Sequence, residues 1–330
     1  MTAAVSNNKA SPARWSLSTQ DRPPKPLPRI TVFGEPGIGK TSFGVSAPNV
    51  VLIPTEDGAL GTPVPRLPTE GRCQTWDDVL HAARLLLTEQ HGYRWVVIDT
   101  INAAENMCSE MVCARDFNGN WNTRKGVEGF NAFGKGEKAA AQELRGLLSI
   151  LDGLQQKRGM GVILLAHVGL HKQANMLGPD FSKFGGDMGK HAWSLVCSWS
   201  DQVGYACREF RASTREGERH AKAHAIGSER WLVFEGGPAL DAKARVGYEM
   251  PERILLSWEE YERMLGADRV ASLVAQAMEL LATSPARDKV AAKLGGQITD
   301  FSVRALGKTK LETLIGWLMA QQRAEKKDEA

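Results

Sequence analysis

RITVFGEPGIGKTSFG, residues 29 to 44, joins a β-branched run to a glycine-rich turn and then to a helix-compatible segment. Gly34, Gly39, Lys40 and Thr41 fall in the spacing GxxxxGK[ST], the arrangement in which a strand-to-helix loop cradles phosphate oxygens. Glycines let the backbone wrap closely enough for its amides to face an anion, and the following helix adds the positive end of its dipole. Lys40 is placed to neutralise the outer phosphates and the Thr41 hydroxyl to ligate Mg²⁺. The segment reads as a loop for ATP and Mg²⁺, contacted by Gly34, Glu35, Pro36, Gly37, Ile38, Gly39, Lys40, Thr41 and Ser42.

Downstream, short apolar runs alternate with longer helix-compatible segments: VVLIP, WVVID and GVILL follow ITVF in order. That is the pattern of a mostly parallel sheet flanked by helices, an α/β fold. Each run delivers a polar group at its end. Asp99 closes WVVID, where the magnesium-side carboxylate of a phosphate-loop ATPase belongs. Glu56 follows VVLIP, on a strand that could lie beside that of the phosphate loop, and can orient the attacking water; Asp57 is the competing choice. His167 ends a fully apolar run, positioned to touch the γ-phosphate beyond the carboxyl ends of the strands.

After about Ser200 the runs become hairpin-like, with Gly217, Gly227 and Gly236-Gly237 as turn signals, so antiparallel strands are expected beside the parallel core. From Asp268 the pattern is helical only, with Val270, Leu273, Val274, Ala277 and Leu281 on one face and Leu311, Leu314, Ile315, Leu318 and Met319 on another. Residues 1–28 hold five prolines and few large apolar side chains, the texture of a disordered leader. The expected division is therefore a leader at 1–28, an ATPase core at 29–265, and a small helical module with a charged tail at 266–330.

Composition bounds the rest. A chain of 330 residues, 42% hydrophobic and 24% charged, is long enough for a buried core without disulfide staples. Its apolar runs are far shorter than a membrane span, and its N-terminus lacks an apolar signal core. Five cysteines without a CxxC pair fit reduced thiols in a cytoplasm. With 41 basic and 38 acidic residues the net charge is only +3, so a polyanion could be held only by local concentrations of charge. Residues 115–138 are one such concentration, mixing Arg115, Arg124, Lys125, Lys135 and Lys138 with Phe117, Trp121, Phe130 and Phe133. Cations for phosphates and planar faces for bases are what single-stranded nucleic acid needs.

The order of Lys40, Glu56, Asp99 and His167 resembles that of the RecA/RadA-like ATPase core. VVLIPTEDGAL is similar to the strand carrying that family's catalytic glutamate, WVVIDTINAAE to its magnesium-side strand, and VILLAHVGL to its γ-phosphate sensor strand. More narrowly, the loop GEPGIGKT and the late segment AKARVGYEMPERI, residues 242–254, resemble phage-encoded recombination or annealing proteins built on that core. The resemblance covers about Arg29 to Leu265. It implies a second DNA-binding loop after His167, carrying Lys172, Lys183 and Lys190. It also implies that Lys243 and Arg245 reach across to a neighbouring subunit's nucleotide. The sensor position holds histidine rather than the glutamine of the bacterial recombinase, and the family's large N-terminal polymerisation domain is not expected here, so filament, ring or monomer stays open. The implied activity is single-stranded-DNA-stimulated ATP hydrolysis that promotes annealing or strand exchange, by a homo-oligomer inside a bacterial host. A replicative helicase or helicase loader, or a nucleotide-gated DNA-binding module with little turnover, is the alternative. The terminal helices are candidates for recruiting a single-strand DNA-binding protein.

Overall fold

The computed structural model describes residues 26–59, 61–122, 128–175, 178–213, 222–245, 251–294, 296, 298–299, 302–303 and 305–328. β1 (Arg29–Gly34) sits inside a mixed sheet of nine strands. On one side of β1 lie β4 (Gly161–Gln173), β3 (Trp95–Asp99) and β2 (Val50–Pro54), all parallel to it; on the other lies β6 (Gln202–Ser213), also parallel. β7 (Lys222–Val233) and β9 (Arg253–Leu255) then extend the sheet through antiparallel pairs. β5 (Phe181–Gly186) pairs with the far end of β4, and β8 (Lys243–Ala244) with the start of β6.

The parallel strands are buried on both faces, which is why they read as continuous apolar runs. In β1, Ile30 and Val32 face one layer and Phe33 the other. The first layer contains α1 (Lys40–Val45) and the start of α6 (Trp258–Thr283), with Phe43, Trp258 and Tyr261 in mutual contact. The second contains α2 (Trp76–Thr88), α3 (Ile101–Phe117), α4 (Lys135–Arg158) and α5 (Lys190–Trp199). Local chemistry sets their ends. Thr75 and Asp78 form a capping box on α2, Ser257 caps α6, and Gly159, at φ 66°, closes α4 in the left-handed region.

The second half of α6 packs with α7 (Arg287–Lys293) and α8 (Gly307–Asp328) around a separate apolar cluster that includes Val274, Leu281, Val290, Leu311 and Leu318. α6 is continuous across residues 265 and 266 and begins at Trp258, ten residues before the helical pattern became visible in sequence. Three other expectations differ from the structure. β2 is not beside β1: β3 and β4 intervene, and the outer edge of β2 is covered by residues 65–67, whose Pro65 carbonyl and Leu67 amide bond to Leu52. Gly227 is not a turn but lies within β7, because β6 and β7 form one long hairpin that absorbs a register shift between Arg208 and Phe210. Gly217 lies outside the described residues, while Gly237 does mark a tight turn closed by its bonds with Leu240. Finally, the segment after His167 is not an irregular loop. β4 continues to Gln173 and returns as β5, and Lys190 opens α5. Gly185 and Gly186 make this return possible, since a Cβ on either would strike Trp193 at 2.5 and 2.4 Å. All five cysteines are free, and among the described residues no helix is long and apolar enough to cross a membrane.

Candidate functional site

β1 hands the chain to the glycine-rich loop at the carboxyl edge of the sheet, where Gly34 is in register with His167 on one side and Ala206 on the other. No side chain fits at Gly34, because a Cβ there would sit 2.3 Å from the Ala206 carbonyl oxygen. Gly37 and Gly39 have φ of +75° and +110°, conformations that let consecutive amides curl into an anion-binding concavity. Lys40 is only 6% exposed. Its ammonium donates to the Gly34 and Glu35 carbonyls at 2.8 and 2.9 Å, with no ion pair to a carboxylate among the described residues. Burial pulls its pKa below the usual lysine value, against the pull of Asp99 and Glu56. A phosphate brought into the loop would supply the charge partner that this ammonium lacks.

Asp99, 5% exposed, accepts the Thr41 hydroxyl at 2.7 Å. Burial holds its carboxyl above the ordinary aspartate value, and the Thr41 hydrogen bond opposes that rise. Neighbouring ligands of an octahedral Mg²⁺ lie about 2.9 Å apart, given metal–oxygen distances of about 2.0 to 2.1 Å, so this oxygen pair fits the ion. The end of β2 is tied to the end of β3. The Thr55 amide donates to the Asp99 carbonyl at 2.8 Å and the Thr55 hydroxyl to the Thr100 carbonyl at 2.7 Å. That tie presents Glu56, which accepts the Thr100 hydroxyl through one oxygen and lies 3.2 Å from His167 Nε2 through the other. The neighbouring Asp57 is turned to solvent and bonded by Arg72, so of the two acids it is Glu56 that faces the loop. His167 is held in turn by its own amide, which donates to Asn102 at the start of α3 at 3.2 Å. Lys40, Thr41, Glu56, Asp99 and His167 therefore converge, although β1 and β2 are separated by two strands.

Two clefts border this cluster. One, of about 530 Å³, lies between Glu56, Asp57 and α3 and reaches Asn106 and Glu110. The other, of about 490 Å³, opens beside Gly39 and Ser42 and is walled by Arg230, Leu256 and Trp258. Arg230 sits close over the loop, its Nη1 2.8 Å from where a Cβ of residue 39 would stand. Nothing in the sequence pattern marked Arg230, Thr55, Thr100 or Asn102. The last three could have been found as polar residues flanking the ends of apolar strands.

The cationic candidates are dispersed. In the stretch 115–138, α3 extends to Phe117, and Arg115 is occupied by Asp116 and Glu143. Phe130 is not exposed: it is 3% accessible and packs against Phe117 and Trp121. Trp121 is 44% and Phe133 73% exposed, Phe133 on left-handed backbone at φ 58°. Lys135 and Lys138 open α4 at the surface, and Arg124 and Lys125 lie outside the described residues. On the β4–β5 hairpin Lys172 is exposed, as is Lys190 at the start of α5. Lys183 is instead half-buried and paired with Asp241 at 2.6 Å.

Lys243 and Arg245 lie near the amino edge of the sheet. Lys243 pairs with Val203, three residues before the Ala206 that faces Gly34, a separation of roughly 10 Å along the strand. The Arg245 amide donates to the Asp201 carbonyl. Burial, followed by the nearby Arg245 charge, lowers the Lys243 pKa.

No curated protein matches the sequence. Among solved structures, that of the RadB recombinase aligns with a TM-score of 0.35 at 15% identity, over 63% of this chain and 80% of that one. The AAA domain family matches residues 27–246, a span that contains the phosphate loop, Glu56, Asp99 and His167, and the chain belongs to that family.

Proposed function

We propose that this chain is an ATPase of DNA recombination, of the phage-encoded kind, which binds single-stranded DNA and promotes annealing or strand exchange with DNA-stimulated hydrolysis. The observation that carries the reading is the convergence of the Lys40 ammonium, the Thr41–Asp99 pair and the Glu56–His167 pair at one edge of the sheet. Mg²⁺ bound there would draw charge from the phosphate oxygens. Lys40 and the loop amides hold the triphosphate, Thr41 and Asp99 hold the cation, and the cleft beside Ser42 and Arg230 accommodates the nucleoside. Glu56 orients a water and accepts its proton. His167, in contact with Glu56 and standing at the root of the β4–β5 hairpin, links the nucleotide to the segment that carries Lys172. Trp121 and Phe133 offer faces for bases, with Lys135 and Lys138 close by in sequence for the backbone.

Lys243 and Arg245 stand too far along β6 to serve their own phosphate loop, which supports a homo-oligomer in which they act on a neighbour's nucleotide. The test is ATP turnover at low salt with and without single-stranded DNA, on wild type and Lys40→Ala. Stimulation by DNA in the first and loss of turnover in the second are expected. Undiminished turnover in Lys40→Ala discards the nucleotide site, and absence of stimulation discards the DNA reading. Directional unwinding of duplex would instead identify a helicase.

A further inference from the structure

Glu105 is a buried acid that the proposed chemistry does not use. It lies on α3, one turn beyond the end of the Asp99 strand, and is only 8% exposed. Both its carboxylate oxygens accept from one donor, the amide of Gly189, at 3.0 and 3.2 Å. Gly189 is the residue before α5 and has no side-chain cap of its own, so Glu105 supplies from another element the acceptor that a helix start requires. The fit is close. A Cβ on Gly189 would come within 2.8 Å of Glu105 Oε1.

What Gly189 belongs to gives the contact its meaning. It ends the return of the β4–β5 hairpin, whose base is closed by the Asp187 amide donating to the His167 carbonyl at 2.8 Å. Asn102, three residues before Glu105 and on the same face of α3, receives the His167 amide at the other side of that base. One turn of α3 therefore grips the hairpin at its entry, through Asn102, and at its exit, through Glu105. The same helix is capped by Thr100, whose hydroxyl donates to Glu56 and which directly follows Asp99, the acceptor of the Thr41 hydroxyl. Hairpin and phosphate loop are thus joined by a short series of direct contacts through a rigid element, with Glu105 as its last member.

We propose that Glu105 is a positioning residue that clamps the exit of the β4–β5 hairpin to α3, so that nucleotide held at Thr41 and Asp99 restrains the hairpin. This rests on the nucleotide site proposed above and needs no DNA. Buried polar groups are kept paired because leaving them unpaired is costly. This pairing spans two elements with no covalent reason to move together, which makes it a means of coupling rather than a local cap.

The test is hydrogen exchange of amides 168–189, with and without magnesium and a non-hydrolysable ATP analogue, together with the analogue's affinity. In wild type the analogue should slow exchange by about fivefold or more, the lower end of ordinary allosteric coupling. Glu105→Ala should lose that slowing while binding the analogue as before, and Glu105→Gln, which keeps an acceptor, should retain it. Gly189→Ala breaks the same contact from the other side and should copy Glu105→Ala, which covers the case of an alanine variant that does not fold. Slowing that persists in both broken-contact variants overturns the proposal. So does slowing that is absent in wild type, or that falls only in step with analogue affinity. If wild type binds no analogue at all, the nucleotide site itself is wrong, a result distinct from those outcomes.

Discussion

Replacing Glu105 by glutamine should change how stability depends on pH, and the size of the change follows from its surroundings. Burial, with the Glu137 and Asp187 charges adding to it, pushes the Glu105 carboxyl from 4.5 up to about 7, while the Gly189 amide opposes the rise. In the unfolded chain the group ionises near its ordinary value. Its folded pKa is therefore the higher, and the folded state holds a proton that the unfolded state has already released. Stability from this residue is fully present below about pH 4.5, declines as pH rises through about 7, and is flat beyond. At about 1.4 kcal/mol per pH unit, the decline comes to roughly 3 kcal/mol. Glutamine carries no charge at any of these pH values, so Glu105→Gln should lack the decline. Urea unfolding followed by tryptophan fluorescence at pH 5 and pH 8.5, without nucleotide, reads the difference. For a urea slope of about 1 to 3 kcal/mol per molar, the variant should gain on wild type by about 1 M or more in midpoint between the two pH values. Parallel midpoints across that range would refute the reasoning, since they would mean that the folded chain tolerates the charge as well as water does.

Three further outcomes follow from single contacts. Asp99→Asn removes the charge that faces the Thr41 hydroxyl, so nucleotide affinity should lose its dependence on Mg²⁺ in a titration of the cation; a retained dependence would move the metal elsewhere. Gly34→Ala drives a methyl into the Ala206 carbonyl, a backbone atom that cannot yield, and should cost about 1 to 3 kcal/mol, read as a lower thermal midpoint. An unchanged midpoint would mean that β1 and β6 are less closely joined than their register indicates. Lys172 is exposed while Lys183 is held by Asp241. Lys172→Ala should therefore lower the salt dependence of single-stranded DNA binding by about 0.7 in the log–log slope, and Lys183→Ala by less, with the reverse order arguing that the Asp241 pair opens on binding.

The parallel core and the polar groups at its edge were legible in sequence because VVLIP, WVVID and GVILLA are unbroken apolar runs that end in, or are closely followed by, a polar residue. WVVID, buried throughout, states both its place in the interior and its terminal carboxylate. Strand order was less legible. The strand before Glu56 reads as one that could lie beside that of the phosphate loop, whereas neighbours in a parallel sheet are chosen by crossover and packing, and the partners of β1 are β4 and β6. The β4–β5 hairpin was hidden by its glycines, which read as loop but serve to admit Trp193. Lys183 looked like a free cation because its partner, Asp241, is 58 residues away, a separation across which local patterning has nothing to report. The same holds for Glu105 and Gly189. A polar residue inside a helix is silent in sequence until the element that it faces is known.

The location of Lys243 and Arg245 bears on how chains would meet in the assembly proposed above. The phosphate loop occupies the carboxyl edge of β1, and β8 pairs with β6 near its amino end, close to Asp201 and Arg29. Arg29 is itself paired there with Asp201 and Asp152, at 2.8 and 2.7 Å, which ties β1 to α4 and to the residue before β6. In the assembly proposed above, Lys243 and Arg245 would meet a triphosphate on a second molecule whose carboxyl edge lies alongside. The surrounding network fits that use: Asp241, two residues before Lys243, bonds Trp193 of α5 and Lys183 of the hairpin. Within one chain the hairpin thus touches α3, which begins beside the chain's own phosphate loop, and also the segment leading to Lys243 and Arg245, the cations proposed above to act on a neighbour's nucleotide. Single-stranded DNA held at the hairpin, as proposed above, would act on both at once, and mixing an Arg245→Ala chain with a Lys40→Ala chain should restore turnover at the shared boundary that neither variant forms alone.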